Sequence, residues 1–195
     1  MVAGQRLIWK LLGRNNFKEF KMSQFTHALR AATVVALMTG SAAVGGGVAT
    51  ADPGTGTSAD INTLAGALSK GYGLNNCQPA ALSGPILAEL DCGQSPDPNG
   101  PAAGVYQLYS SGSELAASFT GGLQGVSLAA CGDSGQSPGT WHTGSNGTTA
   151  GQVACGTYKG AAVITWTTDA KNVLSHIRAS NTDVSALYQW WRTNG

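Results

Sequence analysis

Histidine is scarce in this chain. There are three in 195 residues, and His27 lies in a basic N-terminal stretch, which leaves His142 and His176. Two histidines with no carboxylate close in sequence are too few for a zinc ligand set. Cysteine is present, but gaps of 14, 38 and 23 residues separate Cys77, Cys92, Cys131 and Cys155. The C-x-x-C spacing of a structural zinc site is therefore missing. Lys and Arg thin out as well: after residue 51 only Lys70, Lys159, Lys171, Arg178 and Arg192 remain, against nine Asp/Glu, a formal charge of −4. An acidic segment without clustered Lys/Arg argues against nucleic acid or an anionic lipid surface as partner. No apolar run reaches the about 20 residues of a membrane span. Neither G-x-G-x-x-G nor G-x-x-x-x-G-K-[ST] occurs, because Gly71-Tyr72-Gly73 lacks the third glycine. The sequence thus points to no cofactor and no metal.

What the first fifty residues do contain is a pattern for export. Arg6, Lys10, Arg14, Lys18, Lys21 and Arg30 precede the apolar run Ala31–Met38, and only Glu19 is acidic there. A basic region, a short apolar core and a small-residue stretch make a cleavable signal. Ala49-Thr50-Ala51 gives small side chains at the positions a signal peptidase reads, so cleavage is expected before Asp52. Residues 1–51 are then the signal segment, and Met22 offers an alternative start. Residues 52–76 form a loose start and first helix, and residues 77–195 the main domain of a secreted or cell-envelope protein.

An even number of cysteines in an exported chain reads as a disulfide framework. Cys77–Cys92 and Cys131–Cys155 are the pairs that close local loops. Between them the sequence predicts an α+β fold: an antiparallel sheet of about five strands with helices packed on one side. Ile61, Leu64, Ala65 and Leu68 are spaced for a helix capped within Ser58-Ala59-Asp60. The segment PILAELD after Pro85 reads as a short helical turn. Residues 105–109, 126–131, 140–143 and 173–179 read as strands, and residues 113–119 as a helix capped at Ser111 or Ser113. Residues 151–158 and 161–167 flank Lys159-Gly160 as a hairpin. Val184, Leu187, Tyr188 and Trp191 make one apolar stripe of a terminal helix starting near Asp183.

Chemistry-bearing motifs are thin. Gly132-Asp133-Ser134-Gly135 contains the GDSG string that surrounds the nucleophile of trypsin-like proteases, but no histidine precedes it outside the N-terminal stretch. It reads as a tight Asx-type turn. The alternative is a small serine hydrolase using Ser134, with Asp169 and His176 in the order serine, acid, base. Glu89, Asp91, Asp97 and Asp133 are acidic, but no spacing fixes a glycosidase-type pair. Asn146-Gly147-Thr148 matches a glycosylation sequon, a pattern frequent by chance. Tryptophan is the residue in excess: Trp141, Trp166, Trp190 and Trp191. Helical spacing puts Trp191 on the apolar stripe and turns Trp190 outward, making Trp190 and Trp141 the candidate binding surface.

Residues 77–195 resemble a small extracytoplasmic domain of mycobacteria. The segments that carry the likeness are Ser137–His142, Ala150–Tyr158, Trp166-Thr167 and Leu187–Trp191. Similar domains occur as free secreted proteins and as outer C-terminal parts of membrane-spanning Ser/Thr kinases. The resemblance implies a non-catalytic, sensor-like binding module whose partner is an unknown ligand or envelope protein.

Overall fold

The computed structural model describes residues 54–132, 135–143 and 147–195. The export segment, the cleavage site, Asp133, Ser134 and Asn146 lie outside the described residues.

Eight strands form one antiparallel sheet: β1 (Cys77–Pro79), β2 (Ile86–Cys92), β3 (Ala103–Tyr109), β4 (Ser127–Ala129), β5 (Gly139–Thr143), β6 (Thr148–Tyr158), β7 (Ala161–Thr168) and β8 (Val173–Arg178). Their order is β1-β2-β3-β8-β7-β6-β4, and β5 pairs with β6 beside β4. The sequence reading of about five strands is therefore too low. The strands missed are β1, whose three residues are too few to carry the period-two signal, and β2. Among the described residues three α-helices flank the sheet: α1 (Ser58–Ala65), α2 (Gly112–Gly122) and α3 (Val184–Asn194).

The segment PILAELD is strand β2, not a helical turn. Ala, Leu and Glu favour helix in isolation, but β2 hydrogen-bonds to β1 on one side and β3 on the other. Pairing on both edges overrides that local preference. Glu89 and Asp91 also occupy one face of the strand, which hides its alternation. Helix α1 stops at Ala65 with Gly66 as its C-cap, short of the expected Leu68, and its cap is Thr57, whose hydroxyl accepts from Asp60 N–H. Helix α2 is capped by Ser111, which accepts from Glu114 N–H while its own Oγ donates to Glu114 Oε2. The sequence has the S-x-x-E form of a capping box, with the glutamate returning to the serine hydroxyl. Asp183 caps α3 by accepting from Ala186 N–H at 2.9 Å.

The hairpin β6–β7 turns at Lys159 and Gly160, with φ of 46° and 74°. Two consecutive positive φ values are the type I′ turn that matches the twist of paired strands. At Gly132 the reason for glycine is space as well as conformation: a Cβ there would collide with the Tyr188 ring.

Helices cover both faces of the sheet, not one. Ile61 and Leu64 of α1 and Leu187, Tyr188, Trp190 and Trp191 of α3 join Leu90, Tyr106, Ile164, Trp166 and Ile177 in the larger core. On the opposite face Leu115 and Phe119 of α2 pack with Ile86, Tyr109, Ala154 and Leu174. Central strand β7 is consequently buried from Ala161 to Thr167. Two-sided burial hides the alternation from which a one-sided arrangement is read.

Both expected disulfides are present, Cys77–Cys92 and Cys131–Cys155, and the described residues contain no free cysteine. The first joins directly opposed residues of β1 and β2. The second fixes the chain after β4 to the middle of β6, next to the point where β6 exchanges β4 for β5 as its partner. No helix among the described residues is long and apolar enough to cross a membrane.

Candidate functional site

The tryptophans come together in one chain of rings beneath α3. Trp191 stands at its centre, with Trp166 and Trp141 each edge-on at 5.8 Å between ring centroids and Tyr188 at 5.5 Å. Trp166 continues to Tyr106, Tyr106 to Tyr72, and Tyr72 to Trp190. Trp190 is not turned outward. It is 6% exposed, the same as Trp191. The helical stripe places Trp191 correctly, but Tyr72 and the loop before β3 close over the second flank of α3, a contact between segments distant in sequence. Trp190 Nε1 donates to Asp97 Oδ2 at 2.9 Å. Trp141 is half-buried and donates its Nε1–H to the Thr167 carbonyl at 2.7 Å. Neither indole stands free as an anchor.

What does lie open is a groove of about 570 Å³ between that loop and α3. Asp97, Asn99, Asn181, Asp183, Gln189 and Asn194 contribute polar side chains, Leu187 and Trp190 the apolar part, and no Lys or Arg lines it. Its walls are fixed by local hydrogen bonds. Asp97 Oδ1 accepts from Asn99 N–H, and Asn181 Oδ1 accepts from Asp183 N–H, both at 2.9 Å. Asn194 Nδ2 donates to the Trp190 carbonyl at 2.9 Å. Walls held this way lose little conformational freedom when a ligand enters. Asp97, Asn181 and Gln189 come from three separate segments, and of the groove's residues the sequence put forward only Trp190 as a binding residue.

The opposite face of the sheet carries a buried polar layer that the sequence did not mark as a unit. Tyr109 Oη donates to Gln107 Oε1 at 2.9 Å, and Gln107 Nε2 donates to Glu89 Oε2 at 2.6 Å. Burial pushes the Glu89 carboxyl up to about 7; the Gln107 hydrogen bond opposes this and neighbouring Asp91 adds to it. Asp91 is raised by burial in the same way. On β8, His176 Nδ1 lies 2.7 Å from Thr165 Oγ1. Its pKa falls to about 4, first through burial and then through the positive charge of Arg178. His176 Nε2 and Glu89 Oε1 are buried without a hydrogen-bond partner.

Of the serine-hydrolase alternative, Ser134 lies outside the described residues, and Asp169 and His176 each have another partner. His176 uses Nδ1 on Thr165, and Asp169 Oδ1 instead accepts from Thr167 Oγ1 at 2.6 Å. His142 is exposed on β5, between Thr140 and Thr149. Glu89 and Asp91 are neighbours on one strand face rather than carboxylates facing each other across a cleft. No group of three His, Cys, Asp or Glu among the described residues is arranged to hold a metal ion. Compared with known protein families, curated proteins and solved structures, the chain matches none.

Proposed function

We propose that this protein is an exported, non-catalytic binding module that takes a small polar ligand in the groove between α3 and the loop before β3. The observation that carries the reading is the groove's chemistry. Carboxylates and amides converge in a preorganised concavity that no Lys or Arg lines, beside the apolar flank of Trp190. Amides donate and accept, and carboxylates accept. Such a lining suits hydroxyl- or amine-bearing ligands that are neutral or positively charged, with saccharides the natural class, and it repels anions. The sensor-like character rests on the sequence resemblance alone.

The test is titration of the purified protein with neutral and amino oligosaccharides, followed by tryptophan fluorescence and amide chemical shifts. Neutral or cationic oligomers should shift Asn181, Gln189 and the Trp190 indole signal, and uronic acid oligomers should not. Gln189→Ala should weaken binding about tenfold, the equivalent of one lost hydrogen bond, with the melting temperature unchanged; Asn181→Ala should weaken it too, while also removing the bond to Asp183 N–H. Binding of anionic oligomers alone, or release of hydrolysis products that depends on Ser134, would defeat this reading.

Export rests on the basic N-terminal region, the apolar core at Ala31–Met38 and the Ala49-Thr50-Ala51 site. Two disulfides fit an oxidising compartment. Mass spectrometry of culture filtrate should find a mature N-terminus at Asp52. An N-terminus within the first thirty residues, or a full-length chain confined to the cytosol, would refute it.

A further inference from the structure

We propose that helix α2 is an acid-released cover over His176, a local switch on the face of the sheet opposite the groove. Four observations place it there. The footprint of α2 falls on β3, β7 and β8, and His176 sits on β8 inside it. The helix is held through two large buried side chains, Leu115 and Phe119, a small attachment compared with the ring cluster under α3. Between the C-terminal end of α2 and the sheet lies a cavity of about 10 Å³ lined by Val105, Gln107, Gly122, Thr165, Leu174 and His176. That is roughly the least space a single water needs, and too little for an organic ligand. Finally, His176 is 7% exposed and its Nε2 has no partner.

A neutral imidazole tolerates this setting and an imidazolium does not. Once protonated, both ring nitrogens donate, and the charge needs an acceptor or a carboxylate nearby. Thr165 Oγ1 can accept from Nδ1, but Nε2 has no acceptor and no carboxylate faces the ring. On β7 the facing group is Thr165, a neutral hydroxyl. On β3 Gln107 Oε1 already accepts from Tyr109. On β8 itself Arg178, two residues along on the same face, adds a like charge. Glu89 and Asp91 are on β2, two strands away, about 9.5 Å by ordinary strand spacing. On α2 the carboxylate is Glu114 in the first turn, engaged by Ser110 and Ser111.

The direction follows from linkage. His176 has a pKa of about 4 with the helix closed and recovers the ordinary value near 6.5 when it opens. A lowered pKa in the closed state favours closure least in acid. The opening equilibrium should rise by at most about tenfold per pH unit as pH falls from 6.5 toward 4, with the steepest rise midway. Glu89 titrates in the opposite sense, its burial costing more as pH rises from 4.5 toward 7. β2, which carries Glu89, is not among the strands on which α2 chiefly rests, and in the proposed opening Glu89 stays covered.

Amide hydrogen exchange on the full chain, corrected for intrinsic rates, tests this between pH 6.5 and 4.5. Amides of Leu115–Leu123 should lose protection about fortyfold across those two pH units, while those of Leu187–Gly195 keep theirs. His176→Asn should abolish the slope; Glu89→Gln and His142→Asn should leave it. If His176→Asn does not fold, Arg178→Gln decides. Removing the like charge should move the acid transition to lower pH. Parallel loss of protection in α2 and α3 would overturn the proposal. So would an unchanged slope in His176→Asn, a slope abolished by Glu89→Gln, or an Arg178→Gln transition that stays put or moves up.

Discussion

Replacing Trp191 with alanine is expected to cost the fold about 3–5 kcal/mol, the usual range for truncating a buried aromatic to alanine. Three other rings lose their common neighbour at once: Trp141, Trp166 and Tyr188 all rest on it. Collapse into the void is restricted on both sides. Trp166 is fixed in central strand β7, and Tyr188 lies against Gly132, where no side chain can move in. Urea unfolding should show a lower midpoint with an unchanged slope. Trp191→Phe should keep much of the stability, because Trp191 Nε1 has no hydrogen-bond partner to lose. Trp190→Ala should also be clearly destabilising, since it removes the contact with Tyr72 and the donor to Asp97. A cost below about 1 kcal/mol for Trp191→Ala would mean the ring chain is not the centre of the core.

Replacing Cys131 and Cys155 together with alanine should cost about 3 kcal/mol. Chain-entropy reasoning assigns roughly that amount to a loop of this size, and the two cysteines are 24 residues apart in sequence. The position of the bond adds a local consequence. β4 is three residues long and pairs with β6 through Ser127, Leu128 and Ala129 alone. Cys131 follows directly and anchors the chain to β6 before it continues to β5. Without the bond, the β4 amides should exchange much faster than those of β7 and β8. Reductant should lower the urea midpoint of the wild type and leave a variant lacking all four cysteines unchanged. Equal stability with and without the Cys131–Cys155 bond would assign its worth to strain or unfolded-state structure that offsets the loop term.

These two expectations rest on different levels of the protein. The disulfides were legible in the sequence, because an even number of cysteines with an export pattern leaves few pairings and the local one closes the shortest loops. The hairpin at Lys159-Gly160, helix α2 behind Ser111 and the apolar stripe of α3 were legible too. Each is specified within about fifteen neighbouring residues by turn chemistry, a cap or a period.

Strand β2 was not legible, and the reason is physical. Its helix-favouring composition and inward acids mean nothing until β1 and β3 pair on either side. The groove was equally hidden, since Asp97, Asn181 and Gln189 meet only when the loop before β3 folds against α3. Sequence by itself determined the local elements, the covalent staples and the charge balance, because short-range sterics and spacing decide those. Tertiary structure alone decided that both faces of the sheet are covered, that Trp190 is buried with Trp191, and that Glu89 and His176 lie in one buried layer. Burial and neighbourhood come from contacts far apart in the chain, and no local pattern carries them.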